Sequence, residues 1–110
     1  MTTAIALFSN YDIKTSTSDV GRVISSQLDW VAVGINISAV SGTNPTAEFR
    51  LQWSFDNVVW ADNVPRDVIG TATQPVSVIK RFPVLAPYWR LAVVVGGTNP
   101  SFICTANALI

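Results

Sequence analysis

A chain of 110 residues has room for one domain, and at that size it can bury roughly two-thirds of its unfolded surface without a metal or a disulfide. Seven Lys plus Arg balance seven Asp plus Glu, and the cations are scattered apart from adjacent Lys80-Arg81, which excludes an electrostatic footprint for nucleic acid. With no histidine and a single cysteine, Cys104, the chain excludes an internal disulfide, a Cys/His metal site and a histidine-based triad.

Only 13% of residues are charged, about half the usual share. Zero net charge and an apolar surface favour association, so part of the apolar excess is expected to cover a permanent partner, with a homo-oligomer as one form of it. The opening MTTAIALFSNYDIK has no basic region ahead of its apolar run, Ala4 to Phe8, and so does not read as a signal peptide. The longest late run, Leu91 to Val95, is far short of a transmembrane helix. Synthesis in a cytoplasm and no membrane partner are the corresponding expectations.

Period-two alternation organises the chain. Ala4 to Phe8 and Arg22 to Ser26 are the first strand candidates. From Val31, residues Val31, Val33, Ile35 and Ile37 share one face while Ala32, Gly34, Asn36 and Ser38 share the other. Ala47, Phe49, Leu51, Trp53 and Phe55 then point inward, and Glu48, Arg50, Gln52, Ser54 and Asp56 point to water. Asp56-Asn57 has the chemistry of a tight hairpin turn. Asn57 to Ala61 reads as a short strand and Asp62 to about Gln74 as a long loop. Val76 to Phe82, Tyr88 to Val95 and Ser101 to Leu109 complete about eight strands with no helix. The predicted fold is all-β: a single antiparallel β-sandwich domain over residues 1–110, jelly-roll-like.

One tetrapeptide occurs twice, as Gly42-Thr43-Asn44-Pro45 and Gly97-Thr98-Asn99-Pro100. Both copies follow an apolar strand and read as equivalent hairpin loops at one end of the sandwich. Proline fixes its backbone, so Asn44, Pro45, Asn99 and Pro100 are candidate interface residues that would lose little entropy on docking.

The acidic residues Asp12, Asp19, Asp29, Glu48, Asp56, Asp62 and Asp67 fall in turns or on an exposed face, and serines and threonines lack a general base. No catalytic residue, cofactor or metal site is expected. Cys104, in a β-branched and aromatic run, reads as a buried apolar residue. Of four tryptophans, Trp53 reads as core. Trp60 and Trp89 are candidates for stacking on a sugar ring or anchoring an interface, with core or edge packing as the alternative.

The stretch Ser41 to Trp60, SGTNPTAEFRLQWSFDNVVW, together with Tyr88-Trp89-Arg90-Leu91 and Gly96 to Phe102, resembles small β-sandwich virion proteins of tailed bacteriophages. Leu51 to Trp60 also resembles discoidin-like, galactose-binding jelly rolls, with Asn57 where their turn carries glycine. The first resemblance implies a capsid decoration or cement protein, located on the virion, with the major capsid protein or another virion protein as partner. A tail- or fibre-associated module is the alternative within that class. The second implies a carbohydrate-binding module with a glycan as ligand.

Overall fold

The computed structural model describes residues 4–17 and 29–109 in full and the backbone of 22–24. Residues 25 and 26 of the expected strand Arg22 to Ser26, and Asp19, lie outside the described residues. Six strands are present: β1 (Ala4–Ile13), β2 (Arg22–Ile24), β3 (Trp30–Ser54), β4 (Ala61–Ala72), β5 (Val76–Pro83) and β6 (Tyr88–Leu109). All pairings are antiparallel.

Two of these strands are long enough to serve two layers. β3 runs for 25 residues and β6 for 22, far beyond the usual five or six. In the first layer, β1 pairs with residues 102–109 of β6. Those pair with residues 32–41 of β3, whose residues 30–37 pair with β5. In the second layer, β2 pairs with residues 88–90 of β6. Residues 88–96 of β6 pair with 46–54 of β3, and 47–53 of β3 pair with β4. The orders β1-β6-β3-β5 and β2-β6-β3-β4, all antiparallel, make a jelly roll. The expected eight strands become six because two pairs of expected strands are continuous through the corner.

Alternation supplies the core. Val31, Val33, Ile35 and Ile37 from the first layer meet Ala47, Phe49, Leu51 and Trp53 from the second. The second half of the chain contributes Trp89, Leu91 and Val93 to one layer and Phe102, Cys104, Ala106 and Ala108 to the other. Cys104 is buried, and that burial, seconded by Asp12, pushes its thiol up to about 11.

Three expectations are corrected. Phe55 points to solvent because β3 ends at Ser54, whose hydroxyl turns inward to hold the following turn. Residues 57–60 form that turn rather than a strand. Most of the expected loop Asp62 to Gln74 is instead β4, an edge strand with register shifts at Phe49/Arg50 and Leu51/Gln52 of its partner. Asp, Asn and Pro read as loop formers, yet β4 accepts them: Pro65 falls among residues 63–66, which bulge out of the ladder between Asp62 and Asp67, so no ladder hydrogen bond is asked of it.

Leu51 is fully buried at the centre of β3. Leu51→Ala is expected to lower unfolding free energy by about 2–5 kcal/mol, read from equilibrium denaturation. A loss under about 1 kcal/mol would mean that this strand's inward face is wrongly assigned.

Candidate functional site

The two tetrapeptide copies come together. They are not hairpin loops: both lie inside strands, at the point where β3 and β6 bend side by side from one layer to the other. Thr43 pairs with Thr98, and the ladder shifts register between Ser41 and Thr43 and between Thr43 and Thr46. Such bulges bend a strand and strengthen its twist. The sequence signal was real, but glycine and asparagine serve a bulge and a hairpin equally.

The two bends are related by a local twofold. Gly42 and Gly97 have φ of 113° and 106°, and Asn44 and Asn99 have 50° and 48°. A Cβ on Gly42 would lie 2.7 Å from the Asn99 carbonyl oxygen, and one on Gly97 would lie 2.6 Å from that of Asn44. Each glycine therefore admits the backbone of the other copy, and each asparagine takes the left-handed region it tolerates best after glycine. Asn44 and Asn99 are exposed while Pro45 and Pro100 are half-buried. The corner's own residues, 41–46 and 96–100, are uncharged, with Asp12 accepting from Ser101 Oγ beside them.

The opposite end is built differently. Ser54 Oγ accepts the amide hydrogens of Asp56 and Asn57 and donates to Asp56 Oδ1 at 3.1 Å. Asp56 Oδ1 in turn accepts from the amides of Val58 and Val59, each at 2.9 Å. Hydrogen bonds from the Val59 amide, the Val58 amide and the Ser54 side chain hold the Asp56 carboxyl below its ordinary 3.8. Asn57 closes the turn at φ 62°. The polar atoms all face the turn, so the side chains of Phe55, Val58 and Val59 stand out, at 80%, 75% and 70% exposure. Leu85, in the β5–β6 connection, shares a cavity wall with Phe55 and Val59. This apolar tip was missed from the sequence because Phe55 fitted the inward alternation.

The outer faces of the two layers also differ. On the second layer Arg50 bridges Glu48 at 2.7 Å and Asp62 at 3.6 Å, while Arg66 reaches Glu48 at 3.6 Å. Gln52 donates to Asp62 and accepts from Arg90. Glu48, Arg50 and Gln52 do face outward, as expected, but lie half-buried in an ion-pair ladder whose Asp62 and Arg66 are exposed. On the first layer, Ala32, Gly34 and Asn36 face outward beside Ser77, Ile79, Asn107 and Leu109, forming a shallow apolar groove of about 480 Å³.

The candidate aromatics separate. Trp89 is fully buried, which removes it as a stacking or interface residue: it pairs opposite Trp53 on the inward face. Trp60 is half-buried, with the Arg90 guanidinium 4.5 Å from its ring centre, so one ring face is covered. Trp53 is core, as expected, and its indole donates to Asp67 Oδ2 at 2.8 Å. Among the described residues, no group of three or more acidic or cysteine side chains is arranged to hold a metal.

No family model matches the chain, and no curated protein matches its sequence. Solved structures do match its fold. The crystal structure of SPBc2 prophage-derived protein YomS superposes with a TM-score of 0.54 at 9% identity, covering 100% of this chain and 94% of that one. The Clostridium thermocellum xylanase 10B CBM22-1–GH10 modules, complexed with xylohexaose, match with a TM-score of 0.50 at 13% identity. The VP2 subviral particle of infectious bursal disease virus matches with 0.50 at 8%. This chain covers 24% and 31% of those two longer chains. The likeness is one of fold.

Two outcomes follow. Gly42→Ala and Gly97→Ala should each destabilise the protein by at least about 2 kcal/mol, through positive φ and backbone collision. Asn44→Gly and Asn99→Gly should stay within about 1 kcal/mol of the parent, since glycine takes the same φ; equal losses for both kinds of variant in denaturant melts would refute the twofold corner. For the tip, a depressed carboxyl means its contribution is complete above 3.8 and lost as pH falls through the lower folded value. NMR titration of the Val58 and Val59 amides should therefore show a midpoint below 3.8, and a midpoint at or above it would remove Asp56 as the organiser of the turn.

Proposed function

We propose that this chain is a structural protein of a viral particle, most specifically a capsid decoration or cement protein of a tailed bacteriophage, and that it acts by covering contacts between shell subunits. The observation that carries the reading is the match in fold, over nearly the full length of both chains, to a prophage-derived protein. A free-standing jelly roll of this size is the whole of that chain rather than one module of an enzyme. The VP2 subviral particle of infectious bursal disease virus uses the same fold within a longer chain.

The physics of the molecule suits that role. A cement protein contributes by apolar burial, at roughly 25 cal/mol per Å², repeated over many copies. It needs a stiff body, which the locked corner supplies, and apolar surface held clear of its own core, which the tip supplies. It needs no chemistry of its own, so the protein is proposed not to be an enzyme. The carbohydrate-binding alternative keeps only Trp60 as a platform, since Trp89 is buried; titration with xylohexaose while following the Trp60 indole signal tests it directly.

Quantitative mass spectrometry of purified particles tests the main reading. The expected result is a copy number comparable with that of the shell subunit, together with earlier genome release on heating when the protein is omitted. A handful of copies per particle would move the protein to the tail or a fibre. Its absence from particles would discard the virion reading altogether.

A further inference from the structure

An open sheet edge is a template for another strand. Here the edges are β1 and β5 in the first layer, and β2 and β4 in the second. Three of the four carry a feature that discourages addition. β1 shifts register twice against β6, and Asn10 within it is left-handed, at φ 48°. β2 spans three residues. β4 bulges out of its ladder at residues 63–66, with Pro65 inside the bulge. Bulges, short length and proline are the devices that keep edges apart.

β5 has none of these along its middle. Its eight residues pair with β3 in unbroken register, from Trp30 opposite Pro83 to Ile37 opposite Val76. Among the described residues β3 is its one ladder partner, so alternate amides and carbonyls of β5 point away from the sheet. Its inward-facing charge, Lys80, donates to the Val68 carbonyl of β4 in the same chain at 3.0 Å, which closes the gap between the layers and leaves the edge itself clear. On the outer face Ile79 stands at 81% exposure beside Gly34.

The sequence frames this strand symmetrically about Ile79. Pro75 and Pro83 lie four residues to either side, and apolar Val76 and Phe82 lie three. Against a second copy running the other way, Ile79 falls opposite Ile79, and Ser77 opposite Arg81, on the outer face. Val76 opposite Phe82 and Val78 opposite Lys80 share the core face. The prolines, which have no amide hydrogen to donate, meet each other at the two ends of the ladder. Other registers are worse. A one-residue slip sets the core face of one copy beside the outer face of the other. A two-residue slip either opposes Lys80 directly to Lys80 or draws Pro75 into the ladder opposite Arg81.

We infer that two copies of this chain pair through β5, antiparallel and centred on Ile79, so that their four-stranded first layers, each β1-β6-β3-β5, join across a twofold axis into one sheet. Backbone hydrogen bonds supply the attraction, and each Ile79 covers the other as a β-branched cross-strand pair. The two apolar grooves beside Gly34 become neighbours on one face. The same strand serves both copies, so the contact is isologous and closes at two. It is a property of the isolated chain, so it stands or falls separately from the presence of the protein on particles.

Analytical ultracentrifugation of the purified chain tests it. The weight-average mass of the parent should rise with concentration toward double 11.9 kDa and no further. Ile79→Lys sets two cations opposite each other at an exposed position, and should stay monomeric with parental melting behaviour. Phe55→Ser with Val58→Ser, at the tip, should dimerise as the parent does. Cross-linking reads the register separately, and decides the matter should Ile79→Lys melt early, because the native Cys104 is buried. A thiol cross-linker reaching about 8 Å should join Ile79→Cys to itself and leave Ser77→Cys single, since four strand residues put the two copies of position 77 about 14 Å apart. A parent that stays monomeric or grows beyond two, an Ile79→Lys variant that still dimerises, a tip variant that does not, or cross-linking at position 77 in preference to 79 would each overturn the inference.

Discussion

Along almost their whole length, from Ala32 opposite Leu109 to Ser54 opposite Tyr88, β3 and β6 hydrogen-bond to each other, and every other strand attaches to one of these two. The pair forms a ribbon bent once, at the facing Gly-Thr-Asn-Pro bulges, so that its two arms stack. The inward residues of each arm, Val33 and Ile35 against Leu51 and Trp53, become core only because the ribbon bends where it does. A ribbon that stayed straight would leave both faces wet. The corner is thus the geometric condition for the hydrophobic effect to act in this chain, and Gly42 and Gly97 permit the closeness it demands. Because this pairing joins residues far apart in sequence, loop-closure entropy precedes any gain from burial.

Much of this was legible beforehand. Alternation across Val31 to Ile37 and Ala47 to Trp53 identified the correct inward faces, because a one-residue slip would have turned every apolar side chain outward. The all-β sandwich class followed from spacing and turn chemistry, and its jelly-roll-like form from the resemblance of Leu51 to Trp60 to discoidin-like jelly rolls. What stayed hidden was whatever depends on a partner strand. Gly-Thr-Asn-Pro permits the same backbone angles in a hairpin or in a bulge, and only the neighbouring copy decides between them. Pro65 looks like a strand breaker until residues 63–66 are seen to bulge out of the ladder between Asp62 and Asp67. Phe55 continued a pattern that ended one residue earlier, at a serine whose hydroxyl satisfies two amides. Trp89 sat at a strand start and could have faced either way; its burial is fixed by Trp53 opposite it.

The low charge content looked uniform in the composition, yet the structure distributes it unevenly. Glu48, Arg50, Asp62 and Arg66 gather and pair on the second layer, with Glu48 and Arg50 half-buried. The middle of the first layer's outer face is left with Ala32, Gly34, Asn36 and Asn107 and no charged side chain, and the tip with large apolar ones. A neutral chain therefore presents three distinct surfaces: a polar ladder, a shallow apolar groove and an apolar projection. For a protein whose proposed work is to cover other surfaces, that segregation matters more than the average.

The ladders carry one further consequence. β1 and β2 pair only with β6, and β3 pairs with β4, β5 and β6. No described strand from before the 55–60 turn pairs with another from before it, and none from after it pairs with another from after it. The chain is two interlocked halves, each a template for the other and neither holding a ladder of its own. The twofold at the corner is the axis of that embrace, and the exposed turn between Ser54 and Ala61 is the tether that keeps the two halves at high effective concentration. In these terms the molecule is a dimer folded into one chain, each half completed only by the other's strands.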